Sequence, residues 1–253
     1  MKTAIITGAS SGLGREFVRQ IADVFPEVEC YWLIARRADR LEELAATLPQ
    51  DRAVECLPLD LCDPMSFMAY QEKLRLEEPE VILLVNNAGC GYLGNLGEMD
   101  TSTQTRMIDL NLRALTAVTN MTVPFMAPGG CVLNVSSIAS FCPNPRMTVY
   151  SASKAYVSAF TVGLAEELRP KGLTATAVCP GPMQTEFLDI GGITGNSKTF
   201  STLPYCDQVR VAGGALRAAR AGRTIYTPRL FYKFYRVVAK VTPVKLMVKL
   251  AKT

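Results

Sequence analysis

Six apolar runs of strand length, at 3–7, 29–35, 53–57, 81–85, 131–136 and 174–179, alternate along the chain with longer amphipathic stretches near 12–25, 39–48, 63–76, 101–126, 149–169 and 207–221. The runs are almost continuously apolar, and a strand that is apolar on both sides needs a sheet covered on both faces. A strand, a helix-length segment and a further strand close as a right-handed crossover onto a parallel neighbour. The alternation therefore predicts an α/β fold, a doubly wound parallel sheet with helices on both faces. No internal repeat or Pro/Gly linker divides the sequence, so residues 1–253 read as a single domain, long enough to bury a sizeable core.

One stretch breaks the pattern. Residues 181–206 contain Gly191-Gly192 and Gly195-Asn196-Ser197 without clear periodicity. A long irregular segment inside a compact domain reads as a lid or binding loop, or as a disordered insertion. If the loop and its surroundings line a site, Leu93, Leu96, Met99, Phe141, Met147, Phe187, Leu188, Ile190, Phe200 and Leu203 would make it apolar.

The first strand runs into Thr7-Gly8-Ala9-Ser10-Ser11-Gly12-Leu13-Gly14, which opens the first helix. Glycines there permit a tight turn and let the backbone approach a pyrophosphate seated on the helix N-terminus. The turn predicts nucleotide contacts from Gly8, Ser10, Ser11, Gly12, Leu13 and Gly14. A nucleotide with a free ribose 2′-hydroxyl is usually met by an acid at the end of the second strand. Here that position reads Ala35-Arg36-Arg37. Guanidinium forks suit a phosphate, so Arg36, with Arg37 as second choice, predicts the 2′-phosphate of NADP. The other reading is a solvated basic loop.

The chain has no histidine, so proton transfer must use Tyr, Lys, Cys or a carboxylate. Tyr150 and Lys154, four apart in a helical stretch, share a face. An ammonium beside a phenol lowers the phenol pKa toward neutrality, giving an acid/base pair. A half-buried tyrosine beside a surface lysine is the plain alternative. Eight cysteines occur without a C-x-x-C pair, and no signal-peptide core opens the chain, so they read as reduced thiols of a cytoplasmic protein with no metal site.

Taken together, the motifs resemble those of the short-chain dehydrogenase/reductase family over about residues 1–185. The matching residues are Thr7 to Gly14; Asp60 in Leu59-Asp60-Leu61; Asn86-Asn87-Ala88-Gly89; Asn111; Ser137, thirteen before Tyr150; Lys154; and Pro180-Gly181 with Thr185. The resemblance implies a Rossmann-like fold, NADP(H) as cofactor, and ketone–secondary alcohol interconversion. It implies a catalytic set of Asn111, Ser137, Tyr150 and Lys154. Tyr150 would be the general acid or base, Ser137 would bond the substrate oxygen, Lys154 would bond the nicotinamide ribose, and Asn111 would hold a water leading from Lys154 to solvent. Cofactor contacts carried over in the same way are Asp60, Leu61, Asn87, Ala88, Gly89, Tyr150, Lys154, Pro180, Gly181, Met183 and Thr185. The resemblance does not reach the substrate; the apolar residues of the loop and its surroundings favour a hydrophobic ketone or alcohol, such as a steroid or acyl compound, over a sugar. A catalytically idle NADP-binding regulator is the competing reading, although Tyr150, Lys154 and Ser137 are all retained. The family also suggests a homodimer or homotetramer built on the helices at 101–126 and 149–169.

Net charge is +4, but residues 208–253 carry eleven Lys/Arg and no acid. Within 229–253, Val244, Met247, Val248 and Ala251 recur at helical spacing after Pro243, with Lys245, Lys249 and Lys252 on another side, preceded by the aromatic run 231–235. Such a basic amphipathic helix either lies on an anionic membrane surface or docks over the cleft or a partner subunit. The tail lacks any nucleic-acid docking motif, and no nucleic-acid role is expected.

Overall fold

The computed structural model describes residues 1–251. Seven parallel strands form one sheet: β1 Lys2–Thr7, β2 Cys30–Ala35, β3 Ala53–Pro58, β4 Glu80–Asn86, β5 Met126–Val135, β6 Thr174–Val178 and β7 Ile225–Tyr226, in the order β3-β2-β1-β4-β5-β6-β7. Five of the six expected strands are present within one residue of their expected bounds, and the sixth, β5, begins five residues earlier than expected; β7 is additional, a two-residue edge paired with Ala177 and Val178. The chain reverses direction across the sheet between β1 and β4. Ligand crevices in open α/β sheets lie at such a switch point, beyond the carboxyl ends of the strands.

Both faces are covered. Alternate residues of β1 and β2 point opposite ways: Ile6, Tyr31 and Leu33 join one core, Ile5, Trp32 and Ile34 the other. The first core is closed by α1 Gly12–Val24, α2 Ala38–Ala45 and α9 Gln208–Arg220. On α1, Leu13, Phe17 and Ile21 recur at four-residue spacing and are buried. Small residues on α9 let it approach closely, since a Cβ on Gly213 would lie 2.5 Å from the Gln20 Oε1. Helices α3 Pro64–Glu77, α5 Leu115–Thr122 and α6 Thr148–Leu168 close the second core around Trp32, Tyr70 and Leu74.

The expected helix at 101–126 is divided. Helix α4 Thr101–Ile108 passes through a π-helical turn at Asp109–Ala114 into α5. Residues 181–206 are ordered around two short helices, α7 Glu186–Ile190 and α8 Lys198–Thr202, so the loop is structured and no disordered insertion. The tail forms α10 Leu230–Val241 and α11 Val244–Leu250. No helix among the described residues is long and apolar enough to cross a membrane. Lys252, assigned from the sequence to the basic side of the tail, lies outside the described residues.

Candidate active site

A cleft of about 640 Å³ opens over the carboxyl ends of β1, β4 and β5, within the usual range of about 300–1,000 Å³ for ligand pockets. Its wall contains every expected catalytic and cofactor-binding residue except Gly14 and Asn111.

The glycine turn leaves β1 with Gly8 at φ +66° and Gly12 at φ +51°, backbone that side chains disfavour. A Cβ on Gly14 would lie 2.1 Å from the Gly8 carbonyl oxygen, so the first turn of α1 sits directly against the loop. Asn87 holds the turn from β4: its amide donates to the carbonyls of Thr7 at 3.2 Å and Gly8 at 3.0 Å. The Ala88 N–H donates to the Thr7 hydroxyl at 3.0 Å. Ser11 is the N-cap of α1, yet no side chain caps that helix. Its first N–H groups thus face the cleft without a built-in oxygen, a cradle that fits the pyrophosphate expected from the sequence.

At the end of β2, Arg36 is exposed at the cleft and enters no ion pair among the described residues. Arg37 approaches the Ser10 hydroxyl at 3.4 Å and donates to Glu186 at 3.1 Å. Arg40 donates to the other Glu186 oxygen at 2.6 Å. These guanidiniums, Arg40 first, hold the Glu186 carboxyl below the usual carboxylate range. Arg36 and Arg37 at this wall fit a phosphate, with Glu186 already competing for Arg37. Neither Arg40 nor Glu186 carries a motif; pairs 146 and 149 residues apart in sequence become visible only in the fold. Asp60 accepts from the Cys62 N–H at 3.0 Å and from Arg106 at 3.1 Å. Burial raises its pKa, but those two donors outweigh it and leave the carboxyl below its ordinary value.

Ser137 follows β5, and its hydroxyl accepts from the Ala139 N–H at 3.1 Å. Tyr150 and Lys154 lie on one face of α6, both buried. The expected lowering of the phenol pKa is not found. Burial pushes Tyr150 up to about 12; a hydrogen bond with Ser137 lowers it only in part, and the nearby Cys90 raises it further. Lys154 does not reach the phenol: its ammonium donates to the Val135 carbonyl at 2.9 Å and lies 5.8 Å from the Tyr150 ring centre. Burial brings Lys154 down to about 8, with Cys90 and Cys179 opposing. Sharing a helix face placed both groups in the cleft, and desolvation then moved both pKa values.

Asn111 stands in the π-helical turn, behind the cleft wall. Its amide donates to the Cys90 carbonyl and the Ser153 hydroxyl, both at 2.9 Å, and its oxygen accepts from the Cys90 N–H at 2.9 Å. The side chain ties the loop after β4 to α6.

The apolar half of the cleft differs in part from expectation. Met147, Phe187, Leu188, Ile190, Phe200 and Leu203 line it, with the Phe187 ring centre 5.6 Å from that of Tyr150. Leu93, Leu96, Met99 and Phe141 do not. Their place is taken by the tail: Phe231, Tyr232, Tyr235, Val238, Met247 and Ala251 form part of the wall. Tyr232 donates to the Pro204 carbonyl at 2.7 Å and lies so close to Gly181 that a Cβ there would be 2.2 Å from its ring. Met247, Val248 and Ala251 pack with Cys142, Tyr235 and Val238. The α11 face that could have entered a membrane is therefore turned onto the chain's own cleft. Asn144, missed in the sequence, lines the cleft and donates to the Ala251 carbonyl at 3.2 Å, while its buried Oδ1 has no hydrogen-bond partner among the described residues.

The sequence model described as short chain dehydrogenase matches residues 2–190. Sulfoacetaldehyde reductase 2 of Chromohalobacter salexigens is 35% identical over 207 residues, covering 80% of this chain and 80% of that protein. Among solved structures, a short-chain dehydrogenase from Sphingobium yanoikuyae in complex with NADPH superposes with a TM-score of 0.82 at 30% identity, covering 98% of this chain and 95% of that one. The bulky-bulky ketone specific alcohol dehydrogenase from Comamonas testosteroni gives 0.76 at 25% identity, covering 95% and 91%. With a parallel doubly wound sheet, a glycine turn at the switch point and Ser137, Tyr150 and Lys154 gathered in one cleft, the chain belongs to the short chain dehydrogenase family of oxidoreductases.

Proposed function

We propose that the protein is an NADPH-dependent reductase that converts an apolar ketone to a secondary alcohol. The observation that carries this reading is a single cleft with three parts: a phosphate cradle, an arginine-rich wall at one end, and Tyr150 beside Ser137 under an apolar roof. The Sphingobium relative's NADPH complex supports the cofactor, and the Comamonas relative's specificity for bulky ketones supports the substrate class.

The residues divide the work as follows. The amides of the glycine turn and the N-terminus of α1 hold the pyrophosphate, and Arg36 binds the 2′-phosphate. When bound, the reduced nicotinamide supplies the hydride. Ser137 donates a hydrogen bond to the substrate oxygen and so stabilises developing negative charge. Tyr150, kept protonated by burial up to about pH 12, donates its proton to that oxygen as the alcohol forms. An alkoxide is more basic than this phenolate, so the transfer is downhill. Lys154 bonds the nicotinamide ribose and places a positive charge near the phenolate left behind. Asn111 braces the helix that carries both groups. Phe187, Leu188 and the tail exclude water from the reacting carbon. The whole chain acts as one unit, because the tail completes the cleft.

A homo-oligomer fits the same molecule: Ile108 on α4 and Tyr156 and Val162 on α6 are exposed apolar residues on the helices where family members would pair. Light scattering that gave a mass near 27.6 kDa at micromolar concentration would exclude it.

Following NADPH absorbance with a panel of ketones tests the function. Turnover is expected with aryl and alkyl ketones and not with sugars; no oxidation of NADPH by any carbonyl would leave the idle regulator as the better reading.

A further inference from the structure

The tail has two faces, and folding uses only one. On α10, Tyr232 is fully buried and Tyr235 and Ala239 are half-buried against the domain. On the opposite side, Leu230, Phe234, Val237 and Val241 recur at intervals of four, three and four residues, which at 3.6 residues per turn makes one straight stripe. Their exposures are 81%, 70%, 60% and 75%, so the stripe packs against nothing in the chain. Helix α11 likewise exposes Val244 and Leu246, while its Met247 is turned inward. A contiguous apolar surface of this kind marks an interaction site, in contrast to an isolated exposed side chain.

The charges around the stripe identify what it fits. Lys233, Arg236 and Lys240 follow one another along one flank of α10, and Lys245 and Lys249 stand on α11. None of the five is in an ion pair among the described residues, and neither helix contains a carboxylate. A second copy seated here would set the same cations against one another with no acid on α10 or α11 to meet them. An anionic lipid surface satisfies both features at once, receiving the apolar stripe among its headgroups and the cations against its phosphates.

We infer that the outward face of α10 and α11 docks the protein on an anionic membrane surface, lying in the interface without crossing it. Each cation near such a surface adds about fivefold to the affinity. The face differs from the one that the sequence periodicity of α11 singles out, because the Met247 and Ala251 side of that helix is committed to the cleft. It also borders the cleft: Phe231 lines the cavity while remaining half exposed beside the stripe. A molecule dissolved in the bilayer would thus meet the cleft without passing through bulk water. The docking itself rests on the tail surface alone and not on the proposed reaction, so the two fail separately.

Flotation of the full-length protein on phosphatidylcholine vesicles, with and without phosphatidylglycerol, is the test. The protein should float with the anionic vesicles at low salt, remain in solution with the neutral ones, and be released by high salt. Phe234→Asp, and separately Val237→Asp, should weaken the association at least about tenfold, since each puts a charge into the stripe. Lys233→Glu combined with Lys240→Glu should weaken it at least about 25-fold, two cations at about fivefold each. All four positions are exposed and outside the cleft lining, so the thermal midpoint and cofactor binding of these variants should match wild type. Wild-type protein that stays in solution with both vesicle types overturns the inference. So does flotation that is equal on neutral vesicles and insensitive to salt, or a dimer in solution that Phe234→Asp converts to monomer, which would make the stripe a contact between copies.

Discussion

Replacing Lys154 with methionine removes a buried ammonium while nearly keeping its volume, and the structure gives the sign and size of the consequence. Burial lowers Lys154 from its ordinary 10.5 to about 8. At about 1.4 kcal/mol per pH unit, that drop is worth about 3 kcal/mol. Below pH 8 the folded and unfolded chains both carry the charge, so the full burial cost falls on the folded protein. Between pH 8 and 10.5 the folded chain sheds the proton and the unfolded chain keeps it, so wild-type stability rises with pH through that window. Methionine has no such window, but it leaves the Val135 carbonyl without the 2.9 Å donor, a loss of about 1 kcal/mol at any pH. The variant should therefore be more stable than wild type by about 2 kcal/mol at pH 7 and less stable by about 1 kcal/mol near pH 10.5. Urea unfolding of both proteins at a series of pH values reads this directly, and taking the difference cancels every other titrating group. A difference that stays constant from pH 7 to 10.5, or a methionine variant that is the weaker protein at pH 7, would refute the electrostatic reasoning.

Three further outcomes can be checked independently. Arg36→Asp should cost at least about tenfold in kcat/KM with NADPH relative to NADH, or about 1.4 kcal/mol; an unchanged cofactor ratio would remove Arg36 from the phosphate site. Glu186→Gln should tighten NADPH binding by about fivefold without affecting NADH, because Arg37 and Arg40 lose the carboxylate that competes for them; equal tightening for both cofactors, measured by fluorescence titration, would contradict a phosphate contact. Gly181→Ala should destabilise the protein by about 1–3 kcal/mol in thermal or urea unfolding, since its Cβ would fall 2.2 Å from the Tyr232 ring, and Tyr232→Leu should recover much of the loss; a tolerated alanine would mean that the tail does not press on this loop.

The sheet was legible because its strands are buried on both sides, which leaves an apolar run that needs no alternation to be seen. Strand β7 was not, because Ile225 and Tyr226 need only two ladder partners on β6 and form no run. The sequence 109–114 has ordinary helical periodicity, and its π-helical turn coincides with the contacts that Asn111 makes to Cys90 and Ser153 from other elements. Helix α10 was read only as an aromatic run, since apolar residues on both its buried and its outward faces blur the amphipathic period. At the site, four-residue spacing was enough to bring Tyr150 and Lys154 to one face. It could not show that the Val135 carbonyl takes the ammonium or that desolvation dominates both pKa shifts. Ion pairs such as Arg40–Glu186, and a roof supplied by the tail, join segments far apart in sequence and follow no local spacing.

The proton donor lies at the centre of the account, and Tyr150→Phe tests it most directly because only the phenolic oxygen is lost. With a ketone that wild type reduces, single-turnover oxidation of bound NADPH should slow by about 10²–10⁴, while the NADPH dissociation constant stays near the wild-type value. A phenylalanine variant that kept more than about a tenth of the wild-type rate, well outside that range, would show that another group delivers the proton.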